Sequence, residues 1–361
     1  DITEGQVWYN TTSDTFKSVI SSEAFSSSSP LATARNVGAS FGTQTAGVIG
    51  LGGTPPGGNS AATEHYDGTG WSNGGTANTA RRYLTGFGIQ TAGVACGGFI
   101  TAANASTEEY NGSAWSSGNN MNTARYFNAG AGILTAGTTF GGNTGGTSFQ
   151  SVTEEYDGTN WANGNSMSTA RGYLAGTGTQ TAALAYGGYT GSNTAATEEY
   201  DGTNWTSSGN LNTARRNLSG GGIQTDAQAF GGYVSSGSTA FEKYDGTSWT
   251  TSPLTLAVAH QGGGSSGQSG SETANWIVGG TGATSVTEEY NKSINTITAA
   301  AWAAGGSIST VRTNVGSTSE GSQTAAMVWG GRTGPPPSGP YTSNKSDEYD
   351  GTSFTATPNL N

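Results

Sequence analysis

A single cysteine, Cys96, stands in 361 residues, which excludes a disulfide framework and a thiolate zinc cage. Cations are scarce too: 13 Lys and Arg against 24 Asp and Glu, a net charge of −11. So thin a spread of basic residues makes no patch for a phosphate backbone, and nucleic acid is not an expected partner. No apolar run nears the roughly 20 residues that cross a bilayer, so membrane insertion is not expected either. With two histidines and one cysteine, no metal or other cofactor is expected. Leu, Ile, Val and Phe number only 46 of 361, a share found in disordered segments. What the chain has instead is glycine (61) and rings (9 Trp, 15 Tyr, 11 Phe). Modest charge with many rings argues for a folded chain whose core is built from aromatics, alanine and glycine. A surface rich in Ser, Thr, Gly and Asn suits a virion or an extracellular setting.

The chain repeats itself. Tyr followed by Asp or Asn recurs at Tyr66, Tyr110, Tyr156, Tyr200, Tyr244, Tyr290 and Tyr349, at spacings of 44, 46, 44, 44, 46 and 59. Upstream of each lies a glycine pair, from Gly52-Gly53 to Gly330-Gly331, with Cys96 and Leu51 among the residues just before it. Further upstream Thr-Ala-Arg ends at Arg35, Arg81, Arg125, Arg171 and Arg215; the seventh unit has Arg312, and the sixth has Ala257-Val258 in that region. Helical periodicity is absent. Asp-Gly after the Tyr reads as a two-residue type I′ hairpin, and Gln-Thr upstream as another tight turn. Each unit therefore holds four short antiparallel strands, the signature of a propeller blade.

Gly-Gly after the second strand, Tyr-Asp at the third turn and Trp opening the fourth strand resemble the kelch family of β-propellers. The resemblance spans 31–361 and implies an all-β, seven-bladed, kelch-like propeller of four antiparallel strands per blade. Asn359-Leu360-Asn361 aligns with Asn210-Leu211-Asn212, which precedes Thr-Ala-Arg in unit four. Unit seven is therefore expected to lead on to Leu31-Ala-Thr-Ala-Arg35 and close the ring. Residues 1–30 form an N-terminal extension that either adds a closing strand or links to an upstream domain. The Thr-Ala-Arg variant, with Glu4-Gly-Gln-Val-Trp-Tyr-Asn-Thr-Thr-Ser13, resembles repeat proteins of tailed-phage virions.

In Glu-Glu-Tyr, strand alternation puts the first acid on the face of the Tyr and the second opposite. The first position reads Glu64, Glu108, Glu154, Glu198, Glu242, Glu288 and Asp347; the second drifts through His65 and Lys243. One buried and one solvated site are implied. Arg35, Arg81, Arg125, Arg171, Arg215 and Arg312 are expected to pair with first-position acids as structural ion pairs, since seven copies are not a catalytic arrangement. Trp71, Trp115, Trp161, Trp205 and Trp249 recur too regularly for sugar platforms and belong to the core between blades. Cys96 reads as a small core residue. No catalytic residue is assigned, and an enzyme is not expected.

Recognition is expected where the units differ. The second-to-third-strand loops (54–62, 99–106, 143–152, 189–196, 233–240, 281–286 and 332–346) vary in every unit and share one face. Binding is one reading of that variation; simple drift of exposed loops is the other. Phe149, Tyr189, Tyr233, Arg332 and Tyr341 are the loop residues best able to hold a glycan. Pro55 and Pro56 in unit one and Pro335, Pro336 and Pro337 in unit seven would rise side by side if those units are neighbours. Blades six, seven and one then make a candidate partner contact, or only the closure seam. The expected function is non-enzymatic binding: a tail-fibre, receptor-binding or decoration component of a phage-like virion, meeting host-surface glycan or other virion proteins. A secreted bacterial carbohydrate-binding or adhesion module is the alternative, and oligomerisation is compatible with either.

Overall fold

The computed structural model describes residues 7–10, 15–267, 273–280, 284–298, 307–313, 315–317, 326–333, 342–350 and 352–360. Two units divide the chain, one of residues 21–294 and one of residues 1–20 with 295–361. Every assigned element is a strand. Repeats one to five each give one four-stranded antiparallel sheet in chain order. In repeat three the strands are Ala129–Ile133, Ala136–Phe140, Thr153–Tyr156 and Trp161–Gly164. Ile133 faces Ala136, so Leu134-Thr135, the counterpart of Gln-Thr, is the expected two-residue turn.

The Asp-Gly turn differs from the type I′ expectation. Tyr156 faces Trp161, leaving a four-residue connection. Asp157 Oδ1 accepts the amides of Thr159 and Asn160 at 2.7 and 2.6 Å, and Gly158 alone takes a positive φ, +93°. A carboxylate that caps its own loop satisfies the amides a two-residue hairpin would have paired across the strands.

Innermost strands of successive sheets lie side by side, and a circle of backbone hydrogen bonds shows how many sheets take part. Tyr83 N donates to Val37 O (2.8 Å), Phe127 N to Tyr83 O (2.7 Å), Tyr173 N to Phe127 O (2.9 Å) and Asn217 N to Tyr173 O (2.8 Å). Gly262 N then donates to Asn217 O (2.8 Å), and Val37 N to Gly262 O (2.7 Å), back at the start. Six repeats close on one another within residues 21–294, not seven over 31–361 as the repeat count suggested. The physical reason lies in repeat six. After Tyr290 it lacks Asp-Gly-Thr-x-Trp and runs on as one strand, Thr287–Thr298, so it has no outer strand of its own. The vacant edge pairs with Thr15–Ser28, of which residues 21–28 belong to the ring. Phe25 packs against Phe241 and Tyr290 at 5.3 and 5.4 Å between centroids, as a Trp does elsewhere. Residues 21–30 are therefore part of the propeller, as its closing strand, and units six and one are the neighbours. In the smaller unit Val7–Asn10 pairs with Thr15–Ser18, and repeat seven forms a four-stranded sheet of its own.

The same links recur at most of the interfaces between sheets. The indole nitrogen of each outer-strand Trp donates to a buried Thr hydroxyl of the preceding sheet at 2.9 Å: Trp115 to Thr63, Trp161 to Thr107, Trp205 to Thr153 and Trp249 to Thr197. Trp71 reaches Thr287 at 2.9 Å, across the closure between repeats one and six. A ring of about 150–250 Å² buried this way stabilises by several kcal/mol. The second acid is not simply solvated. Glu109, Glu155, Glu199 and Glu289 accept the hydroxyls of Tyr156, Tyr200, Tyr244 and Tyr66 of the following sheet. Burial, and then donation to Glu199, push the Tyr244 hydroxyl up to about 12. Where Lys243 breaks the series it pairs with Glu23 of the closing strand at 2.7 Å.

The first acid is buried and paired within its own repeat. Arg35 meets Glu64 at 2.6 Å, Arg125 meets Glu154 at 3.0 Å and Arg171 meets Glu198 at 2.8 Å. Arg81–Glu108, Arg215–Glu242 and, in the smaller unit, Arg312–Asp347 are in contact likewise. Repeat six keeps the site with a different partner: His260, fully buried, lies 3.0 Å from Glu288. Leu256-Ala257-Val258-Ala259-His260 is thus the counterpart of Met167-Ser168-Thr169-Ala170-Arg171. Burial favours the neutral carboxyl, but hydrogen bonds from His260 and from the amides of Ala257 and Val258 outweigh it and hold Glu288 below its ordinary 4.5. A lowered folded-state value adds stability that is whole above the ordinary value and fades as the pH drops through the folded one. Glu288→Gln is expected to melt below the native chain at pH 7, with the gap narrowing below 4.5. An equal gap at pH 7 and at pH 3 would contradict this.

Candidate ligand-binding face

The residue after each conserved Arg pairs, backbone to backbone, with the residue after the glycine pair: Arg82 with Phe99, Tyr126 with Asn143, Gly172 with Tyr189, and Arg216 with Tyr233. The inter-sheet segments and the second-to-third-strand loops therefore share one face. In repeat one Asn36 pairs with Gly53, so Leu51-Gly52 is the true equivalent of Gly97-Gly98 there. Gly50, rather than Leu51, then corresponds to Cys96, whose thiol is fully buried and pushed up to about 12 by burial.

One position further on, the chain adopts a conformation that side chains other than Gly seldom take. Val37, Tyr83, Phe127, Tyr173 and Asn217 have φ between 46° and 62°. The left-handed turn aims each amide at the carbonyl of the preceding sheet and so completes the backbone circle. Such backbone is retained only where its surroundings over-determine it. It also gathers the five side chains at the mouth of the axial channel. With Asn36 and Gln261 they line a recess of about 300 Å³, at the lower end of the range for small-molecule sites. Beneath it, Gly, Ser, Thr and Ala of the innermost strands line a channel of about 120 Å³.

Repeats two to five carry the aromatic residues of this mouth. Tyr83 and Phe127 have centroids 4.1 Å apart, and Phe127 and Tyr173 stack at 3.6 Å. Tyr173 continues to Tyr189 at 6.1 Å, and Tyr189 to Phe149 at 5.6 Å. Burial raises the Tyr173 hydroxyl, which stays a hydrogen-bond donor at neutral pH. An arginine stands at each end of the arc. Arg82 lies 5.0 Å over Tyr83 and 5.8 Å over Phe99. Arg216 sits between Tyr189 and Tyr233, 4.6 Å from each ring centre. Among the described residues, no carboxylate, His or Cys lines the recess, and no three His, Cys, Asp or Glu are grouped to hold a metal. Rings, amide side chains and two guanidinium groups offer stacking and hydrogen bonding.

Of the residues singled out for recognition, Phe149, Tyr189 and Tyr233 come together on this face. Arg332 belongs to the smaller unit, where its backbone pairs with Thr313. Tyr341 and Pro335, Pro336 and Pro337 lie outside the described residues. Pro55 lines a recess of about 280 Å³ with Arg82 and Tyr83, and the Pro55-Pro56 loop is a small hairpin pairing Gly53–Thr54 with Gly58–Asn59. Within residues 21–294 repeat six pairs with repeat one, where the repeat count had led to an expected closure of seven on one. Sequence reasoning missed Arg82, Tyr83, Tyr126, Phe127, Tyr173 and Arg216. The signal was available: the two residues after each Arg change from repeat to repeat while the Thr-Ala-Arg before them does not.

A circle of antiparallel four-stranded sheets around an axial channel is a β-propeller. Among solved structures YjhT is similar, with a TM-score of 0.62 at 14% identity, covering 74% of this chain and 99% of that one. The covered share is close to that of the six-sheet ring, and at this identity the likeness is one of fold. No family model matches the chain, and neither does any curated protein.

Proposed function

We propose that this chain is a kelch-like propeller that binds without catalysing, holding a host-surface glycan on the axial face of repeats two to five. The observation that carries the reading is the arc from Tyr83 through Phe127 and Tyr173 to Tyr189 around a recess of about 300 Å³. Aromatic rings offer sugars an apolar surface with a polar tip, and flanking amides and guanidinium groups supply orientation. The buried carboxylates are already committed to arginine partners, which argues against their use as a general acid and base. The setting we propose is a phage-like virion, as a tail-fibre, receptor-binding or decoration protein. It rests on the resemblance of the opening segment and of the Thr-Ala-Arg repeat.

Tyr173→Ala is expected to lower retention on a glycan array at least about tenfold, the loss typical of one contact worth roughly 1.4 kcal/mol. Its circular dichroism should stay that of the native chain, because Tyr173 is only half-buried. Absence of any bound glycan, or unchanged binding by the variant, would overturn the reading. Immunogold labelling of particles tests the setting: label on tails supports it, and label confined to bacterial surfaces favours a secreted adhesin.

A further inference from the structure

We propose that the glycan is acidic, an oligosaccharide bearing uronate-type carboxylates that are gripped by Arg216 and Arg82. The inference rests on the glycan reading above and goes further by naming the chemistry of the ligand. Its starting point is that neither arginine is explained by the fold. The same position holds Asn36, Tyr126, Gly172 and Gln261 in the other repeats of the ring, so closing the propeller does not require a cation there. The arginines that do serve the fold are fully buried against carboxylates. Arg82 and Arg216 are half-buried, and among the described residues no carboxylate lies within ion-pair distance of either.

Their surroundings orient them. Tyr189 and Tyr233 hold the Arg216 guanidinium between two rings at 4.6 Å, and Asn193 Oδ1 accepts one Nη1 hydrogen at 3.2 Å. The remaining donors form a planar fork, which matches a carboxylate better than a hydroxyl. Arg82 donates through Nη1 to Gly57 O, which fixes the guanidinium over the rings of Tyr83 and Phe99.

The distribution of the remaining charge agrees. Asp67, Asp157, Asp201 and Asp245 sit in third-to-fourth-strand turns, at the ends of the strands away from the recess. In a chain of net charge −11, Arg82 and Arg216 give this face two cations with no acid paired to them among the described residues.

The test presents the full chain to an array of matched oligosaccharides: acidic, methyl-esterified on the same carboxylates, sulfated and neutral. Retention is expected on the acidic members, lost on esterification and weakened by added salt. Arg216→Met, which keeps the bulk between the rings but removes the fork, should reduce that retention about tenfold or more, and Arg216→Lys should recover part of it. Equal binding of neutral and acidic members, unaffected by Arg216→Met, would overturn this inference and leave the glycan reading standing. Retention on sulfated members alone would overturn the carboxylate assignment. No glycan retained, or retention of acidic peptides instead, would overturn both readings.

Discussion

Arg171→Ala is expected to destabilise the propeller by about 3–5 kcal/mol, because it strands a buried carboxylate. Arg171 is fully buried, 2.8 Å from Glu198. Burial pulls the guanidinium below its ordinary range, and Glu198 pulls it back up. Glu198 also receives the amides of Ser168 and Thr169 at 2.6 and 3.3 Å, so the carboxylate cannot turn away to water without giving up the hand-over between sheets. Thermal melting reads the loss, on the order of 10 °C for a chain of this size. Arg171→His should cost much less, because repeat six holds the same carboxylate with His260 at 3.0 Å. A shift no larger than that of an exposed substitution, under about 0.5 kcal/mol, would show that the pair is not buried as described.

The second large effect is steric and has its own rescue. A Cβ on Gly137 would lie 2.1 Å from Cε2 of Phe87 in the preceding sheet, far inside contact distance. Gly137→Ala therefore overpacks a buried ring and is expected to cost about 1–3 kcal/mol. Phe87→Ala alone leaves a cavity and is expected to cost about 3–5 kcal/mol. The double variant recreates the neighbouring interface, where Ala131 and Ala183 occupy the equivalent places in one core cluster. The same exchange of size runs round the ring, with Phe41 against Gly93 and Asn275 against Gly221. A double-mutant cycle should thus give a favourable coupling of about 1 kcal/mol or more between sites 87 and 137. Additive losses would contradict this packing.

Much of the fold was legible because the repeat states it many times over. The order of four strands, the Arg–acid pairs and the placing of Trp between sheets each follow from residue types recurring at fixed offsets. The size of the ring was not legible from the repeat count, since local patterns are the same in six- and seven-membered circles. It was written in two irregularities instead. Repeat six lacks Asp-Gly-Thr-x-Trp after Tyr290, and Phe25 precedes Leu31 by the same six residues that separate Trp205 from Leu211. The recognition face was half legible. Loop variability pointed to Phe149, Tyr189 and Tyr233, but Tyr83, Phe127 and Tyr173 sit in left-handed backbone that no propensity would assign to a bulky residue. They are placed there by the hydrogen-bonded circle, a tertiary effect that no single repeat contains.

The packing of repeat one on repeat six distinguishes a six-membered ring from a seven-membered one. A nuclear Overhauser measurement on the full chain, selecting the indole N–H of Trp71, reads its neighbour. In the six-membered ring the expected contact is to the side chain of Thr287, the partner at 2.9 Å. A contact to Ser346, the equivalent residue of repeat seven, would contradict it.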